Sequence, residues 1–395
     1  MINQWQGKRI LITGVAGTIG HELLRQLVGS EPCEIIGIDS NESELFYVQQ
    51  EFAEYPFVRL YLSDIRNTTQ LARRMDGIDI VLHAAAYKHV FLCEQAPGNA
   101  VQTNILGTQN VIDQASANNV ERVIFTSSDK AVNPTSVMGT SKLMGERLIT
   151  SANATRRNGR PIFACTRFGN VLGSRGSVIP LFARQILERG PVTLTHPQMT
   201  RFIMTLQDAV RLVMESVFLA CGGEVFITKM PVARIQDLAT VMIEELAPRF
   251  GRDPKDIEVK TIGVIPGEKL YEELMSSEET RRTIELKSYF VVLPALRPIY
   301  NVVEYKYPGM VRNSVVHAYN SANEQAMSMA ELRSLLIRGE LLEEALQSLH
   351  LTSPHPPVAV GAPHCPVESP AEPPRDGFIE PDAATAELLA ETNIP

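Results

Sequence analysis

The sequence lacks the features that mark metal-binding and disulfide-rich proteins. It has five cysteines, at positions 33, 93, 165, 221 and 365, and no two of them form a Cys-x-x-Cys pair. This scatter argues against a structural zinc site or a disulfide framework, and it favours buried, reduced thiols. The eight histidines show no spacing typical of metal ligands, so we expect no metal site.

An excess of positive charge and long apolar runs are also missing. The formal net charge is −8 at pH 7, whereas a nucleic-acid-binding protein normally carries a basic surface. No apolar run reaches the roughly 18 residues that a membrane span needs. Residues 1–9 lead directly into a strand pattern, without the apolar region of a signal peptide. These features predict a cytoplasmic protein with no membrane span and no nucleic-acid partner.

Short apolar segments alternate with helical patterns through the first part of the chain. The predicted strands are residues 9–14, 34–39, 58–62, 79–83, 122–127 and 161–168. This alternation predicts an α/β protein with a doubly wound parallel sheet. We expect residues 1–170 to form a Rossmann domain, to which residues 200–230 return.

The pattern changes after residue 170, where glycine and proline become frequent. The predicted helices there are residues 178–189, 207–220 and 235–250, with a closing helical pair at 328–350. We expect residues 171–350 to form a smaller C-terminal substrate-binding lobe. Ten of the 25 prolines fall in residues 352–395, so this tail is predicted to be disordered, with a partner-binding arm as the alternative.

A glycine-rich turn joins the first predicted strand to the first predicted helix. The segment Thr13–Gly20 has the sequence TGVAGTIG. Gly14 permits a tight turn, Gly17 allows a pyrophosphate to approach the backbone, and Gly20 allows the helix to pack against the strand. The helix begins at Thr18–Ile19, so its N-terminus faces the phosphates. The pattern predicts a dinucleotide site, and a structural turn without a ligand is the alternative.

An acidic residue ends the second predicted strand. Asp39 is followed by Ser40 and by no nearby arginine. A carboxylate at this position accepts hydrogen bonds from ribose hydroxyls and repels a 2′-phosphate, so NAD is favoured over NADP. Further cofactor contacts are expected from Asp64, Ile65, Ala84, Ala85, Ala86, Lys88, Asn104 and Ser127.

Polar residues follow the fifth predicted strand, at the sheet edge where open α/β sheets place their ligands. The segment Ser127–Lys130 includes an adjacent acid and base, Asp129 and Lys130. The next helix carries Met138 and Lys142, which lie four positions apart on one face. We interpret the segment as catalytic, and an exposed surface ion pair is the alternative.

Together these segments resemble the extended short-chain dehydrogenase/reductases. More narrowly, they resemble the UDP-N-acetylglucosamine 4,6-dehydratase group of polysaccharide biosynthesis, the CapD-like enzymes. The matching segments are Thr13–Gly20, Asp64–Arg66, Ala84–Val90, Asn104–Asn110, Ser127–Pro134, Arg167–Gly176, Thr200–Phe202 and Pro266–Leu270. The resemblance implies bound NAD, a nucleotide-sugar substrate and a homo-oligomer.

One position departs from the superfamily pattern. Where the superfamily has the tyrosine of Tyr-x-x-x-Lys, this chain has Met138, which has no titratable proton. An inactive enzyme is one interpretation. Large membrane-anchored members of the same group also resemble this segment with methionine there and are regarded as active, so we expect an active enzyme.

The resemblance implies an internal redox elimination that yields a 4-keto-6-deoxy sugar nucleotide. In that reaction Lys130 is the base for the C5 proton and Asp129 is the acid for the departing C6 oxygen. These roles require a lowered pKa at Lys130 and a raised pKa at Asp129, against their mutual attraction. Lys142 is expected at the nicotinamide ribose. Asp129, or a water held by Ser127 or Ser128, is expected to take the C4 hydroxyl proton.

Several residues of the matching segments are expected to bind the substrate. They are Lys88, His89, Asn170, Arg175, Val178, Arg201 and Glu268. Arg175 and Arg201 are the candidates for the pyrophosphate, because arginine binds phosphate oxygens bidentately.

Two other functions remain open. A sugar-nucleotide epimerase shares the cofactor site but normally retains the tyrosine. A non-catalytic NAD-binding protein is favoured by Met138 and by the tail.

Overall fold

The structure is a computed structural model, and it describes residues 4–156, 159–174, 177–263, 268–295 and 303–351. The chain divides into two units, Met1–Thr352 and Ser353–Pro395. All described residues belong to the first unit. The tail predicted at residues 352–395 lies outside the described residues.

The strands and helices are numbered in chain order. The strands are β1 (Arg9–Thr13), β2 (Glu34–Asp39), β3 (Val58–Leu62), β4 (Ile80–His83), β5 (Arg122–Ser128), β6 (Ile162–Phe168), β7 (Asn170–Val171), β8 (Val192–Leu194), β9 (Thr200–Met204), β10 (Val225–Thr228), β11 (Val232–Arg234), β12 (Val259–Thr261), β13 (Glu273–Met275), β14 (Thr283–Leu286), β15 (Tyr289–Val292), β16 (Met310–Arg312) and β17 (Tyr319–Asn320). The α-helices are α1 (Thr18–Leu27), α2 (Glu42–Glu51), α3 (Thr68–Met75), α4 (Val90–Gln95), α5 (Pro97–Ala100), α6 (Gly107–Ala117), α7 (Val137–Thr155), α8 (Val178–Leu187), α9 (Leu206–Leu219), α10 (Ile235–Leu246), α11 (Met329–Arg338) and α12 (Leu341–Leu351).

A ten-stranded sheet forms the centre of the described structure, in the order β3-β2-β1-β4-β5-β6-β10-β15-β14-β16. The seven strands from β3 to β10 are parallel, and the last three pair antiparallel. The strand order reverses between β1 and β4. Open α/β sheets bind their ligands at this switch point, beside the carboxyl ends of the strands. The predicted doubly wound parallel sheet is confirmed.

The inner apolar strands are buried on both faces, which explains their continuous hydrophobic sequence, whereas the edge strand β3 is partly exposed. In β1, Ile10, Leu11 and Ile12 are fully buried. Helix α1 contributes Leu23 and Leu24 to the same core. These contacts fix α1 against the sheet, and its N-terminus lies at the carboxyl end of β1.

A second, smaller core lies among the helices that follow residue 177. It includes Ile179 and Phe182 of α8, Leu238 of α10 and Leu332 of α11. Strands β14, β15 and β16 also belong to the range assigned above to a substrate lobe, yet they extend the central sheet. The division of the chain at residues 170 and 350 stays a prediction.

The helical segment that follows β4 contains a wide turn. A π-helix at Val101–Leu106 separates α5 from α6. Such wide turns occur often at functional sites, and this one contains Asn104, whose side chain bonds the backbone of Tyr87. Across the described ranges, none of the helices is both long and apolar enough to cross a membrane.

Candidate active site

A cleft of about 640 Å³ opens at the carboxyl ends of the first four strands. Most of the predicted cofactor residues line it, namely Gly14, Gly17, Thr18, Asp39, Ser40, Asp64, Ile65, Ala84, Ala85, Ala86 and Lys88. Five others are not among its lining residues: Ile19, Gly20, Asn104, Ser127 and Lys142. The cleft therefore brings together the glycine turn and the ends of β2, β3 and β4.

Two glycines of the turn are required by close backbone contacts. Gly14 has a φ of +72°, and a Cβ there would lie 2.7 Å from the Ala85 Cα. A Cβ on Gly20 would lie 2.1 Å from the Gly14 carbonyl oxygen. Gly20 thus serves helix packing, as predicted for it, and needs no contact with a ligand. The turn leaves a space beside the N-terminus of α1 that fits a pyrophosphate.

Asp39 ties the end of β2 to the glycine turn. Its Oδ2 accepts a hydrogen bond from the Ala16 N–H at 3.0 Å, and its Oδ1 accepts one from the Asn41 N–H at 2.9 Å. A carboxylate oxygen has further lone pairs for ribose hydroxyls. The side chain is therefore oriented before any ligand arrives.

Some cleft residues were not predicted from the sequence. Among them, Arg66 lies beside Asp64 and donates bidentate hydrogen bonds to its carboxylate, the shorter at 2.6 Å. These bonds hold the pKa of Asp64 below its ordinary value, although burial opposes the shift. The remaining unpredicted residues are Ala16, Ile38, Asn41, Glu42, Ser43, Glu44, Ser63, Tyr87 and Thr103.

Two buried hydroxyls near the cleft have no hydrogen-bond partner within the described part of the chain. They are the Oγ1 of Thr103, which lines the cleft, and the Oγ of Ser127 at the end of β5. Buried polar groups in folded proteins are nearly always paired. Orphaned hydroxyls beside a cleft with room for the phosphates fit a polar ligand such as a dinucleotide.

The predicted acid–base pair is not a surface ion pair. Asp129 is 3% exposed. It accepts a hydrogen bond from Ser128 Oγ at 2.6 Å, and Lys130 Nζ donates to its Oδ2 at 3.0 Å. Lys130 Nζ also contacts Asn170 Oδ1 at 3.4 Å. The short helical turn Asp129–Ala131 that follows β5 makes this arrangement possible.

The pKa shifts found for Asp129 and Lys130 run opposite to those that their predicted roles require. Burial alone raises the pKa of Asp129, but the charge of Lys130 and the hydrogen bonds outweigh it, so the pKa is lowered. At Lys130, burial lowers the pKa, but the charge and the hydrogen bond of Asp129 oppose that effect, and the pKa is raised. Mutual attraction prevails, and the resting pair is a carboxylate and an ammonium.

Lys142 lies beneath this pair on α7. Its Nζ donates to the Thr126 carbonyl oxygen at 2.9 Å and lies 4.7 Å from the centre of the Phe125 ring. Burial lowers the pKa of Lys142 to about 8. Nearby, burial lowers the pKa of His83 to about 3, so this histidine is neutral at pH 7 and bonds the hydroxyls of Thr13 and Thr108.

Met138 occupies an apolar cluster. It is 3% exposed and packs with Cys93 and Ala100, beside the partly buried Val90 and Val137. A thioether in such surroundings fills space and transfers no proton. Met138 therefore matches the superfamily tyrosine in position alone, and no proton-transfer role follows from its surroundings.

A second cleft, of about 450 Å³, adjoins the first. It is lined by six of the predicted substrate residues: Lys88, His89, Asn170, Val178, Arg201 and Glu268. Lys88 and His89 line both clefts, so the two spaces meet there. Arg175 lies outside the described residues. Among the described residues, no group of three or more His, Cys, Asp or Glu side chains is placed to hold a metal ion.

One buried acid of the site was missed. Glu272 is 4% exposed, and its Oε1 lies 3.7 Å from Lys130 Nζ and 3.3 Å from Arg201 Nε. Arg201 is also paired with Glu268 at 3.2 Å. Glu272 stands two positions beyond the Pro266–Leu270 segment, and only tertiary contact reveals its relation to Lys130.

The sequence matches a protein family described as "Polysaccharide biosynthesis protein" over residues 10–294. The chain belongs to this family. A relative in Methanocaldococcus jannaschii, described as uncharacterized membrane protein MJ1061, is 46% identical over 334 residues, covering 85% of this chain and 96% of that protein. The capsular polysaccharide biosynthesis protein CapD of Staphylococcus aureus is 44% identical over 280 residues, covering 69% of this chain. That match spans 46% of CapD, so the chain corresponds to less than half of it.

Other members carry a different activity in their names. UDP-glucose 4-epimerase of Rickettsia felis is 35% identical over 348 residues, covering 86% of this chain and 98% of that protein. Family membership therefore includes proteins named as epimerases.

Two solved structures agree with the fold. Pen from Bacillus thuringiensis has a TM-score of 0.79 at 41% identity, covering 86% of this chain and 99% of that chain. DesIV of Streptomyces venezuelae, a dTDP-glucose 4,6-dehydratase solved with NAD bound, has a TM-score of 0.58 at 25% identity, covering 66% of this chain and 86% of that chain. The resemblance to CapD-like extended short-chain dehydrogenase/reductases is confirmed.

Proposed function

We propose that this member of the polysaccharide biosynthesis family is an NAD-dependent nucleotide-sugar 4,6-dehydratase. Its substrate in this proposal is UDP-N-acetylglucosamine or a close nucleotide hexose, and it acts in the cytoplasm as a homo-oligomer. One observation carries the proposal. An ion pair between the buried Asp129 and the partly exposed Lys130 follows β5, and Asn170, which lines the second cleft, accepts a hydrogen bond from Lys130.

The first cleft would hold the dinucleotide. Gly14 and Gly17 leave room for the pyrophosphate, Asp39 accepts the ribose hydroxyls, and Thr103 gains a partner. Asp39 favours NAD over NADP because its charge repels a 2′-phosphate, and Arg66 nearby is engaged by Asp64. When bound, NAD would accept hydride from C4 of the sugar and return it to C6 within one turnover.

The ionised Asp129 is suited to take the proton of the C4 hydroxyl. The missing tyrosine is thus replaced by a carboxylate that Ser128 and Lys130 hold in one orientation. Lys142 carries a positive charge at pH 7, since its pKa is about 8, and this charge stabilises oxygen near C4 as it loses its proton.

Proton transfer then couples Asp129 to Lys130. Once Asp129 is protonated, its charge no longer holds the proton on Lys130, and the half-exposed ammonium loses that proton to water. The Lys130 amine accepts the C5 proton, and Asp129 donates its proton to the C6 oxygen, which leaves as water. Lys130 finally returns that proton to C5 and takes back a proton from water, which restores the resting ion pair.

The second cleft would hold the nucleotide. Arg201 lines it and is fixed by Glu268 and Glu272. In this proposal a diphosphate oxygen replaces Glu268, the more exposed of the two partners, at the guanidinium. In this proposal Lys88 and His89, which line both clefts, would lie between the sugar and the cofactor.

An epimerase is the second candidate, because relatives carry that name. The apolar surroundings of Met138 disfavour it, since epimerases of the superfamily normally retain tyrosine at this position. The deciding experiment is incubation of the full chain with UDP-N-acetylglucosamine in deuterated water, read by mass spectrometry and NMR. Dehydration lowers the product mass by one water, whereas epimerisation does not. Unchanged substrate, from protein shown to bind NAD, would contradict both.

A further inference from the structure

Glu272 is held from several sides at the edge of the catalytic pair. Its Oε2 accepts a hydrogen bond from the Phe202 N–H at 3.1 Å, and its Oε1 faces Lys130 and Arg201. Its own N–H donates to Ser321 Oγ at 2.9 Å, and its carbonyl oxygen accepts the Ser321 N–H. The carboxyl group therefore has little freedom to turn away from Lys130.

The charged groups that face Glu272 come from two elements. Asp129 and Lys130 follow β5, and Arg201 lies on β9, with Glu268 at the other side of its guanidinium. Asp129 and Glu272 are both buried and both contact the Lys130 ammonium. Two buried carboxyl groups this close cannot both be ionised without large cost, so one of them keeps a proton.

The hydrogen bonds decide which carboxyl keeps the proton. Asp129 accepts from Ser128 Oγ and from Lys130 Nζ at 3.2 Å or less, whereas Glu272 accepts one backbone N–H and has longer ion pairs. Burial and the nearby charge of Asp129 raise the pKa of Glu272 to about 8, while the pKa of Asp129 is lowered. Both carboxyl groups contact the same ammonium, that of Lys130, at 3.0 Å for Asp129 and 3.7 Å for Glu272.

We propose that Glu272 is a positioning residue whose carboxyl group stays protonated and donates a hydrogen bond to Asp129. Of the two buried carboxyl groups beside Lys130, Asp129 is then the one that carries a negative charge. Protonation of Asp129 removes that charge and frees Lys130 to lose its proton. An ionised Glu272 would hold Lys130 charged throughout and block its use as a base. The catalytic role of Glu272 rests on the proposed function, whereas the protonation of its carboxyl group is independent of that function.

The proton is observed directly by ¹³C NMR of full-length protein labelled at the glutamate carboxyl carbons, titrated from about pH 5 to about pH 10. The Glu272 signal is identified by its loss in Glu272→Gln or, should that variant not fold, in Glu272→Asp. We expect a midpoint near pH 8. A Glu272 carboxyl that is already ionised at pH 6 overturns the proposal, whatever the protein's activity.

The role is tested by the pH dependence of kcat/KM, which reports groups of the free enzyme. In the wild type, Glu272 and Lys142 both titrate near pH 8, so the basic limb falls steeply. The amide of Glu272→Gln cannot ionise, so we expect a shallower basic limb of the kcat/KM profile than in the wild type. An equally steep limb, or loss of activity at every pH, overturns the role.

The control is Glu273→Gln, the adjacent acid, which pairs with Lys269 and Asn133 instead. The basic limb of its kcat/KM profile should match that of the wild type. If the wild type dehydrates no nucleotide sugar, the proposed function fails, and the NMR titration still decides whether Glu272 holds the proton.

Discussion

Asparagine has nearly the volume of aspartate but carries no charge, so Asp129→Asn isolates the charge of the catalytic pair. We expect kcat to fall by about 10²- to 10⁴-fold, because the C4 proton loses its acceptor and the C6 oxygen its acid. NAD affinity should change little, since Asp129 does not line the dinucleotide cleft. Product formation by mass spectrometry and NAD titration by fluorescence measure the two effects.

The control for that change is Asp113→Asn on the exposed face of α6, where the carboxylate bonds only the neighbouring Gln109. Turnover of this variant should equal the wild type. Unchanged turnover in Asp129→Asn would remove Asp129 from the mechanism.

A second prediction concerns the residue that replaces the superfamily tyrosine. Met138 fills an apolar cluster with Cys93 and Ala100, so Met138→Leu should leave kcat within about threefold of wild type. Met138→Ala should instead lower the free energy of unfolding by about 2–5 kcal/mol, measured in urea. Loss of turnover in a stable Met138→Leu variant would show that the thioether has a chemical role.

The cofactor turn could be predicted because its requirements are local. The turn needs a residue with positive φ, which Gly14 supplies, and Gly20 must lie against the Gly14 carbonyl oxygen. Glu272 and Arg66 were missed because their places depend on tertiary contacts. Arg66 follows β3, and the pairing of β3 with β2 brings it to the cleft. Glu272 contacts Lys130 although the two residues are far apart in the sequence. The protonation of Asp129 and Lys130 could not be predicted, because it depends on distances within the folded site.

At the scale of the elements, helix α1 depends on one glycine for its contact with β1. Gly20→Ala would place a methyl group 2.1 Å from the Gly14 carbonyl oxygen, so α1 must move away from the turn. We expect a lower Tm and a loss of NAD binding of at least about tenfold. Both are measured by thermal unfolding with and without NAD.

Gly29→Ala is the matched control, because a Cβ there meets no atom within 4 Å. It lies just beyond the other end of α1, so it tests whether any added methyl group has this effect. Weak NAD binding in both variants would mean that the contact with Gly14 is not the cause.

The parallel strands could be predicted because their apolar runs are continuous, as in β1 and β2. The π-helix at Val101–Leu106 could not, since its sequence carries an ordinary helical pattern. Its wide turn holds Asn104, whose amide bonds the Tyr87 carbonyl and Ser141 Oγ. Side-chain bonds to distant backbone thus decide the local helix geometry.

At the scale of the whole molecule, a buried ionic cluster joins distant parts of the chain. Arg167 on β6 is 1% exposed and forms bidentate bonds with Glu146 of α7 and with Glu279, the closest at 2.6 Å. It also donates to the Leu274 carbonyl oxygen at 2.8 Å. The central sheet, its covering helix and the segment after β13 are held by one guanidinium.

Arg167→Met removes that charge at similar volume and takes the guanidinium partner from two buried carboxyl groups, although Glu279 keeps the Ser276 N–H and Arg282. We expect the free energy of unfolding at pH 7 to fall by about 3–5 kcal/mol, measured in urea. Arg147→Met, an exposed position on the same helix as Glu146, is the control and should stay within about 0.5 kcal/mol of wild type.

The pH dependence separates this charge effect from a packing effect. In the wild type, burial raises the pKa of Glu279, but Arg167 outweighs it, so the pKa lies below 4.5. The resulting stabilisation is full above pH 4.5 and is lost as pH falls through the folded-state pKa. In Arg167→Met, Glu279 loses the charge that outweighs its burial, so its pKa rises and the stabilisation that its ionised form gives above pH 4.5 is reduced. The difference between the two proteins should therefore shrink from pH 7 to about pH 5. A difference that is equal at both pH values would mean that Arg167 stabilises the fold through packing alone.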